Sequence, residues 1–198
     1  MINSVIFICG AGGDAGMTYV PALKEFCESF GMNFYAPHMP GFDDGITYEK
    51  YKSSFEQTVA KIADLKNTLV IGQSIGTNFV VKYLAENPIN IAGYISVSAL
   101  SRGFDKPVPQ TAINRVGPLL NSFGPTKEQY KKFKSYSFPK FSIYGGKDCF
   151  FTKANLENYA NLIGAKKYYD PDGVHCTISE NITEHKLLHK VIKENFCK

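Results

Sequence analysis

One stretch of the chain decides its fold: the run TLVIGQSIGTNFVV from Thr68 to Val81. Its first residues are apolar and partly β-branched, which is typical of a strand buried on both faces. The residues from Ile75 onward predict a helix. Between the two lies Gly-Gln-Ser-Ile-Gly, where Ser74 has a glycine two residues away on each side. Such a strand-to-helix turn strains the serine backbone and lifts its hydroxyl clear of the sheet, so Ser74 is a candidate nucleophile.

On either side of this stretch, short β-rich runs alternate with segments of helical periodicity. That alternation predicts an α/β fold: a mostly parallel sheet of six strands, covered by helices on both faces as a three-layer α/β/α sandwich. We predict strands at Ser4–Cys9, Asn33–Ala36, Thr68–Gly72, Gly93–Ser98, Phe141–Tyr144 and Lys166–Tyr169. We predict helices at Met17–Phe30, Tyr48–Asp64, Ile75–Glu86, Glu128–Lys134, Lys153–Ile163 and Ile182–Asn195.

The segment from Ser101 to Pro139 breaks the alternation, because it holds five prolines and only fragments of a helical pattern. An ordinary connection between two strands of such a sheet is far shorter. We therefore predict a small helical cap or lid over residues 101–139, inserted in a single domain that spans residues 1–198.

Composition excludes several classes of protein. The 198 residues are 44% hydrophobic and 20% charged, with a net charge of +4, which argues against disorder and against nucleic-acid binding. Five cysteines without a CxxC pair favour reduced thiols in the cytosol. The apolar N-terminal residues lack the features of a signal peptide, and no apolar run approaches the roughly 20 residues of a membrane span. We expect a cytoplasmic protein without a membrane span.

A serine nucleophile needs a base, and the chain has four histidines. His175 follows the last predicted strand, where loops meet at the carboxyl edge of the sheet, and is the preferred base. His38 also follows a strand but lies in a proline-bracketed turn. His185 and His189 are spaced like metal ligands on a helix, yet no HExxH context supports this, so we expect them on a helix surface.

The acid of such a site is expected between the serine and the histidine, at the end of a strand. Asp148 fits, because it follows the apolar run Phe141–Tyr144 and a glycine turn. Asp170 and Asp172 compete, although they are close enough to the base in sequence to form its turn. Asp105, at the start of the predicted cap, is a further alternative.

Two backbone amides are candidates for an oxyanion hole. The N–H of Ile75 lies at the start of a helix, and the glycine-rich loop after the first strand offers the N–H of Ala11 or of Gly12. The competing interpretation is a dinucleotide fingerprint, since Gly10-Ala-Gly12 begins like GxGxxG. Ala15 replaces its third glycine, and no acidic residue ends the second predicted strand. We expect neither a nucleotide, nor a metal, nor another cofactor.

These motifs together resemble the α/β-hydrolase superfamily, and within it the small serine hydrolases related to retinoblastoma-binding protein and the bacterial YdeN type. The resemblance implies the α/β-hydrolase fold, a Ser74–Asp148–His175 triad and oxyanion amides at Ala11 and Ile75. It implies a serine hydrolase that cleaves a small carboxylic ester, thioester or amide through an acyl-enzyme. The alternative is a catalytically silent interaction protein with the same fold.

The chain departs from the usual motifs of that superfamily at three places. Cys9-Gly10 stands where His-Gly is common, Gln73 stands where histidine often precedes the serine, and Val174 separates Gly173 from His175. The loop geometry around the base is therefore expected to differ from the common one.

Other residues have two interpretations each. Cys149 and Cys176, which follow the candidate acid and base, are either inert packing or oxidation-sensitive thiols. Tyr19, Phe79, Leu100 and Phe104 either line an acyl pocket or belong to the core.

Basic residues are concentrated in and next to the predicted cap. They form either a solvated surface or a patch that attracts an anionic ligand or an acidic partner. The residues are Arg102, Lys106, Arg115, Lys127, Lys131, Lys132, Lys134 and Lys140.

Overall fold

The computed structural model describes residues 2–11, 13–100, 103–176 and 180–197. Its strands are β1 Ser4–Ile8, β2 Asn33–Tyr35, β3 Thr68–Gln73, β4 Gly93–Val97, β5 Lys140–Gly145 and β6 Lys166–Asp170. Its helices are α1 Val20–Ser29, α2 Tyr48–Val59, α3 Ile75–Glu86, α4 Gln110–Phe123, α5 Lys127–Ser135, α6 Lys153–Ile163 and α7 Lys186–Phe196, with a short 3₁₀ helix at Leu65–Asn67.

The six strands form one sheet in the order β2-β1-β3-β4-β5-β6, and every neighbouring pair is parallel. β1, β3, β4 and β5 are almost entirely buried, whereas the edge strands β2 and β6 are partly exposed. Helices α2, α3, α5 and α6 contact one another in series, and α1 contacts α7 through Phe26 and His189. The predicted three-layer α/β sandwich is confirmed.

The sheet order places the candidate site at a switch point. The chain runs from β1 outward to β2 and then returns to β3 on the other side of β1. Ligands of open α/β sheets bind outside the carboxyl ends of strands at such a point. Ile8 pairs with Gly72, so the glycine-rich loop after β1 and the Ser74 turn after β3 leave the sheet side by side.

One helix was not predicted, and three predicted helices were wrong at one end, among them α1, which begins at Val20 and not at Met17. α4 was missed, because Gly117 and Pro118 interrupt its pattern although Leu119 and Phe123 anchor it in the core. α2 ends at Val59 and not at Asp64. α7 begins at Lys186, since His185 is its N-cap and accepts a hydrogen bond from the backbone of Leu188.

The segment predicted as a cap contains two different kinds of helix. α5 packs against α3 and α6, and its Tyr130 and Phe133 are buried. Among the described residues, α4 makes substantial contact with only one other helix, α3. Ser101 and Arg102 lie outside the described residues. We propose that α4 and the loop before it form the lid, and that α5 belongs to the outer helix layer.

No helix in the described part of the chain is both long enough and apolar enough to cross a membrane.

Candidate active site

Ser74 lies in a strained turn between β3 and α3. Its φ is 53° and its ψ is −125°, a backbone conformation that is unusual for a residue other than glycine. The flanking glycines make the turn possible. A Cβ on Gly72 would lie 2.9 Å from the carbonyl oxygen of Gly76, and one on Gly76 would lie 2.8 Å from that of Cys9. The close approach of α3 to β3 therefore requires Gly72, and its close approach to the end of β1 requires Gly76.

The structure brings the hydroxyl of Ser74 to one ring nitrogen of His175. Ser74 Oγ and His175 Nε2 are 3.1 Å apart. The other ring nitrogen, Nδ1, is 2.8 Å from Asp148 Oδ2. His175 and Asp148 are each only 1% exposed. The predicted serine, base and acid thus form a continuous, largely buried chain of hydrogen bonds.

The surroundings of Asp148 keep its carboxylate ionised. Burial acts to raise its pKa, but hydrogen bonding to His175, attraction to the protonated form of that ring and the N–H groups of Phe150 and Phe151 together hold the pKa below its usual range. Those two N–H groups donate to Oδ1, at 2.8 and 3.0 Å. An ionised Asp148 can only accept, so His175 Nδ1 carries the proton and Nε2 is free to accept one from Ser74.

The loops that carry Asp148 and His175 are held together backbone to backbone. Gly146 N–H donates to Asp170 O and Lys147 N–H donates to Gly173 O, each at 2.8 Å. A Cβ on Gly145 would collide with the carbonyl of Gly173. Acid and base are therefore fixed relative to each other by the main chain.

The two predicted oxyanion donors lie beside Ser74. Ala11, Ser74 and Ile75 line one small cavity together. Within residues 2–11, 13–100, 103–176 and 180–197, neither the Ala11 N–H nor the Ile75 N–H donates to a protein acceptor. We therefore propose that both amides can bind a ligand oxygen. Gly12, the alternative donor, lies outside the described residues.

Gln73 joins the three loops of the site, a role that the sequence reasoning missed. Its Oε1 accepts the Gly10 N–H at 2.9 Å, and its Nε2 donates to the Cys176 carbonyl at 3.3 Å. The side chain thus ties the loop of Ala11 and the loop of His175 to the Ser74 turn. The only available signal was its place next to the serine, because its bond to Cys176 spans 103 positions.

The alternative acids have other partners. Asp170 accepts from the backbone of Asp172 in the turn before His175, and Asp172 pairs with Lys147 at 2.7 Å. Asp105 accepts hydrogen bonds from the backbone and the hydroxyl of Thr152 at the N-terminus of α6. None of these three carboxylates meets the imidazole of His175 within hydrogen-bond distance in the described structure.

The remaining histidines lie elsewhere. His38 is largely exposed and lies 3.7 Å from Asp14. The prediction that His185 and His189 lie on a helix surface is wrong in part, because His189 is in α7 but largely covered and His185 is not in the helix. His185 precedes the helix and packs on Tyr19, while His189 stacks on Phe26 with ring centroids 4.3 Å apart. Burial lowers the pKa of His185 to about 4, with a further contribution from His189.

Among the residues that the structure describes, no group of three or more histidine, cysteine or acidic side chains is placed to hold a metal ion.

The cysteines beside the site do not readily ionise to thiolates. Burial raises the pKa of Cys176 and of Cys9 to about 12, and that of the more exposed Cys149 to about 11. The thiolate is the form that reacts with oxidants, so these shifts favour inert packing over oxidation sensitivity.

Two cavities meet at Ser74. The larger, about 500 Å³, reaches under the glycine-rich loop to Tyr19 and is lined by His175. The smaller, about 50 Å³, is lined by Leu100 and Phe104. Phe79 lies in the core, packed against the rings of α2.

Four of the basic residues in and next to the predicted cap make separate local contacts, and Arg102 lies outside the described residues. Lys106 donates to the backbone oxygen of Asp148, and Lys134 donates to that of Asn161. Lys140 is buried and donates to Tyr136 O, and Arg115 lies over the ring of Phe42. This arrangement lends no support to an anionic ligand or an acidic partner.

Comparison with known proteins gave matches among solved structures alone. No family model and no curated protein sequence matches the chain. The ydeN gene product of B. subtilis has a TM-score of 0.82 at 18% identity, over 99% of this chain and 100% of that one. A monoacylglycerol lipase of Paleococcus ferrophilus has a TM-score of 0.67 at 14% identity, over 96% and 92% of the two chains.

An extracellular α/β-hydrolase from a Paenibacillus species has a TM-score of 0.66 at 15% identity, over 98% of both chains. The resemblance in the motifs thus extends to the whole backbone. The chain has the α/β-hydrolase fold and a YdeN-like structural relative.

Proposed function

We propose that this protein is a serine hydrolase that cleaves a carboxylic ester, or a thioester or amide, through an acyl-enzyme. The observation that carries the proposal is the buried Ser74–His175–Asp148 chain of hydrogen bonds, which opens onto an apolar cavity. The fold supports hydrolysis in general, because the structural relatives include a lipase. An ester is chosen for the test because its carbonyl carbon is attacked more easily than that of an amide.

In the first half-reaction, Ser74 Oγ attacks the substrate carbonyl carbon while its proton moves to His175 Nε2. The carbonyl oxygen becomes an oxyanion that the N–H groups of Ala11 and Ile75 bind. The carbon–oxygen bond to the alcohol then breaks, and His175 gives its proton to the departing alkoxide. Asp148 stabilises the imidazolium that exists between these two proton transfers.

In the second half-reaction, a water molecule attacks the acyl-enzyme. His175 removes a proton from the water, and the second tetrahedral intermediate collapses to break the bond between Ser74 Oγ and the acyl carbon. His175 returns the proton to Oγ, and the carboxylic acid leaves. Each step uses the side chains and amides described above.

A fluorophosphonate probe and p-nitrophenyl acetate together test the proposal. We expect the wild type to be labelled and to release p-nitrophenol, and Ser74→Ala to lose labelling and on the order of 10⁴-fold or more in kcat. Ser53→Ala, an exposed serine on α2, is the matched control and should behave like the wild type. Unchanged turnover by Ser74→Ala, or a folded wild type that reacts with neither reagent, would overturn the proposal.

A further inference from the structure

The two cavities that meet at Ser74 differ about tenfold in volume. One measures about 500 Å³ and the other about 50 Å³. They share Ala11, Phe42, Val116 and Phe150 as common walls, so a substrate bound at Ser74 extends into both. Because the cavities differ in size, the two halves of a bound ester would lie in different cavities.

The catalytic groups decide which half enters which cavity. His175 lines the large cavity, whereas Ile75, one of the two oxyanion donors, lines the small one. The histidine that takes the serine proton must deliver it to the leaving group, so the leaving group lies on the histidine side. The oxyanion points to the two amides. The acyl substituent, which is the remaining group on the carbonyl carbon, therefore lies in the small cavity.

The small cavity has room for few atoms. About 10–15 Å³ of such a volume holds one water-sized group, so about 50 Å³ holds roughly four. Its far walls are the apolar side chains of Leu100, Phe104 and Leu119. Acetyl to butyryl groups fit this space, whereas a long acyl chain would collide with those walls.

The large cavity has the opposite character. Its volume falls within the roughly 300–1,000 Å³ of small-molecule sites, and its walls include the apolar side chains of Phe7, Met17 and Val20. Phe42 forms part of its wall and is 38% exposed, which extends the apolar surface to solvent. A bulky apolar alcohol or phenol would bury most of its surface there.

We infer that the substrates are short-chain acyl esters of bulky apolar alcohols or phenols. The inference rests on the proposed function, because it assigns the two sides of a serine hydrolase site. It implies that α4 sets the acyl limit, since this helix supplies Leu119 to the small cavity.

Two ester series test the assignment on the wild type. With a constant p-nitrophenyl group, we expect kcat/KM to fall at least about 10-fold from butyrate to octanoate, since the longer chain has no room. With a constant acetyl group, naphthylmethyl acetate should exceed ethyl acetate by about 10-fold or more, because its ring system buries apolar surface. A maximum at octanoate, or no preference for the bulky alcohol, would overturn the inference.

Variants on α4 sharpen the test. Leu119→Ala should move the acyl preference toward hexanoate and octanoate, and Ile113→Ala should keep the wild-type profile. Ile113 is on the same helix, is 41% exposed and lines neither cavity. An unchanged profile for a folded Leu119→Ala would contradict the assignment.

Met17→Trp should narrow the large cavity and reduce the preference for naphthylmethyl acetate over ethyl acetate. An undiminished preference in this variant would contradict the placement of the alcohol.

Every rate is measured beside Ser74→Ala. Absence of any Ser74-dependent hydrolysis would overturn the proposed function itself. Ser74-dependent hydrolysis with the reverse preference would overturn only the assignment of the two cavities.

Discussion

The Ser74 turn and helix α4 border the same cavities but are held in place by different means. At the turn, main chain crosses main chain so closely that Gly72 and Gly76 leave no room for a methyl group. In α4, a Cβ on Gly117 would meet nothing within 4 Å beyond its chain neighbours and its own helix backbone, and Leu119 and Phe123 are the side chains that anchor the helix in the core. The Ser74 turn holds the reacting atoms in place, whereas the side chains of α4 can change without moving those atoms.

The largest expected effect concerns the chemistry at the rigid region. Asp148→Asn should reduce kcat by about 10⁴-fold, because an amide in place of the carboxylate favours the wrong tautomer of His175. Kinetics with p-nitrophenyl acetate measure it. Asp105→Asn, which alters a carboxylate at the start of α6, should keep wild-type kcat. Equal losses in the two variants would show that the effect does not act through His175.

The next effect concerns the backbone crossing. Gly76→Ala should lower the free energy of unfolding by about 3 kcal/mol, since its Cβ would press on the carbonyl groups of Ile8 and Cys9. Urea denaturation measures the change. A variant as stable as the wild type would mean that β1 and α3 can separate, contrary to the rigid crossing described above.

A smaller effect concerns pH. The pKa of Asp148 lies below its usual range in the folded protein, so its ionised form stabilises the fold above the unfolded pKa of about 3.9. This contribution is lost as the pH falls through the folded value. The free energy of unfolding of Asp148→Asn should therefore depend less on pH below about 4 than that of the wild type. Identical pH profiles would contradict the lowered pKa.

The smallest effect belongs to α4. Gly117→Ala should change the free energy of unfolding by less than about 1 kcal/mol, because the gain from restricting the unfolded chain opposes the crowding of a helical Cβ by the following Pro118. Thermal unfolding measures it. A variant destabilised as much as Gly76→Ala would show that α4 is packed as tightly as the Ser74 turn, and the contrast between the two regions would disappear.

The local sequence was sufficient to predict the strands of the sheet and the order of the site residues along the chain. Buried apolar runs predict the strands, and the glycines around Ser74 predict its turn. In a parallel sheet, residues that follow strands meet at one edge, which is why Ser74, Asp148 and His175 lie together although 101 positions separate the first from the last. That they catalyse a reaction stays a proposal.

The features that sequence could not supply depend on contacts between distant segments. Ile113, Val116, Leu119 and Phe123 have helical spacing, but Gly117 and Pro118 obscured it. The two hydrogen bonds of Gln73 depend on loops that meet only after folding. The volumes of the cavities depend on how α4 lies over the sheet edge, which no pattern of residues encodes locally.

The acyl-enzyme tests the central claim most directly. Wild-type protein would be mixed with p-nitrophenyl acetate, quenched in acid and digested for mass spectrometry of the peptide that contains Ser74. We expect one acetyl group on Ser74, which accumulates in the wild type and is absent from Ser74→Ala. Turnover without a covalent acyl group on Ser74, or with the acetyl group on another residue such as Cys149, would contradict the proposed mechanism.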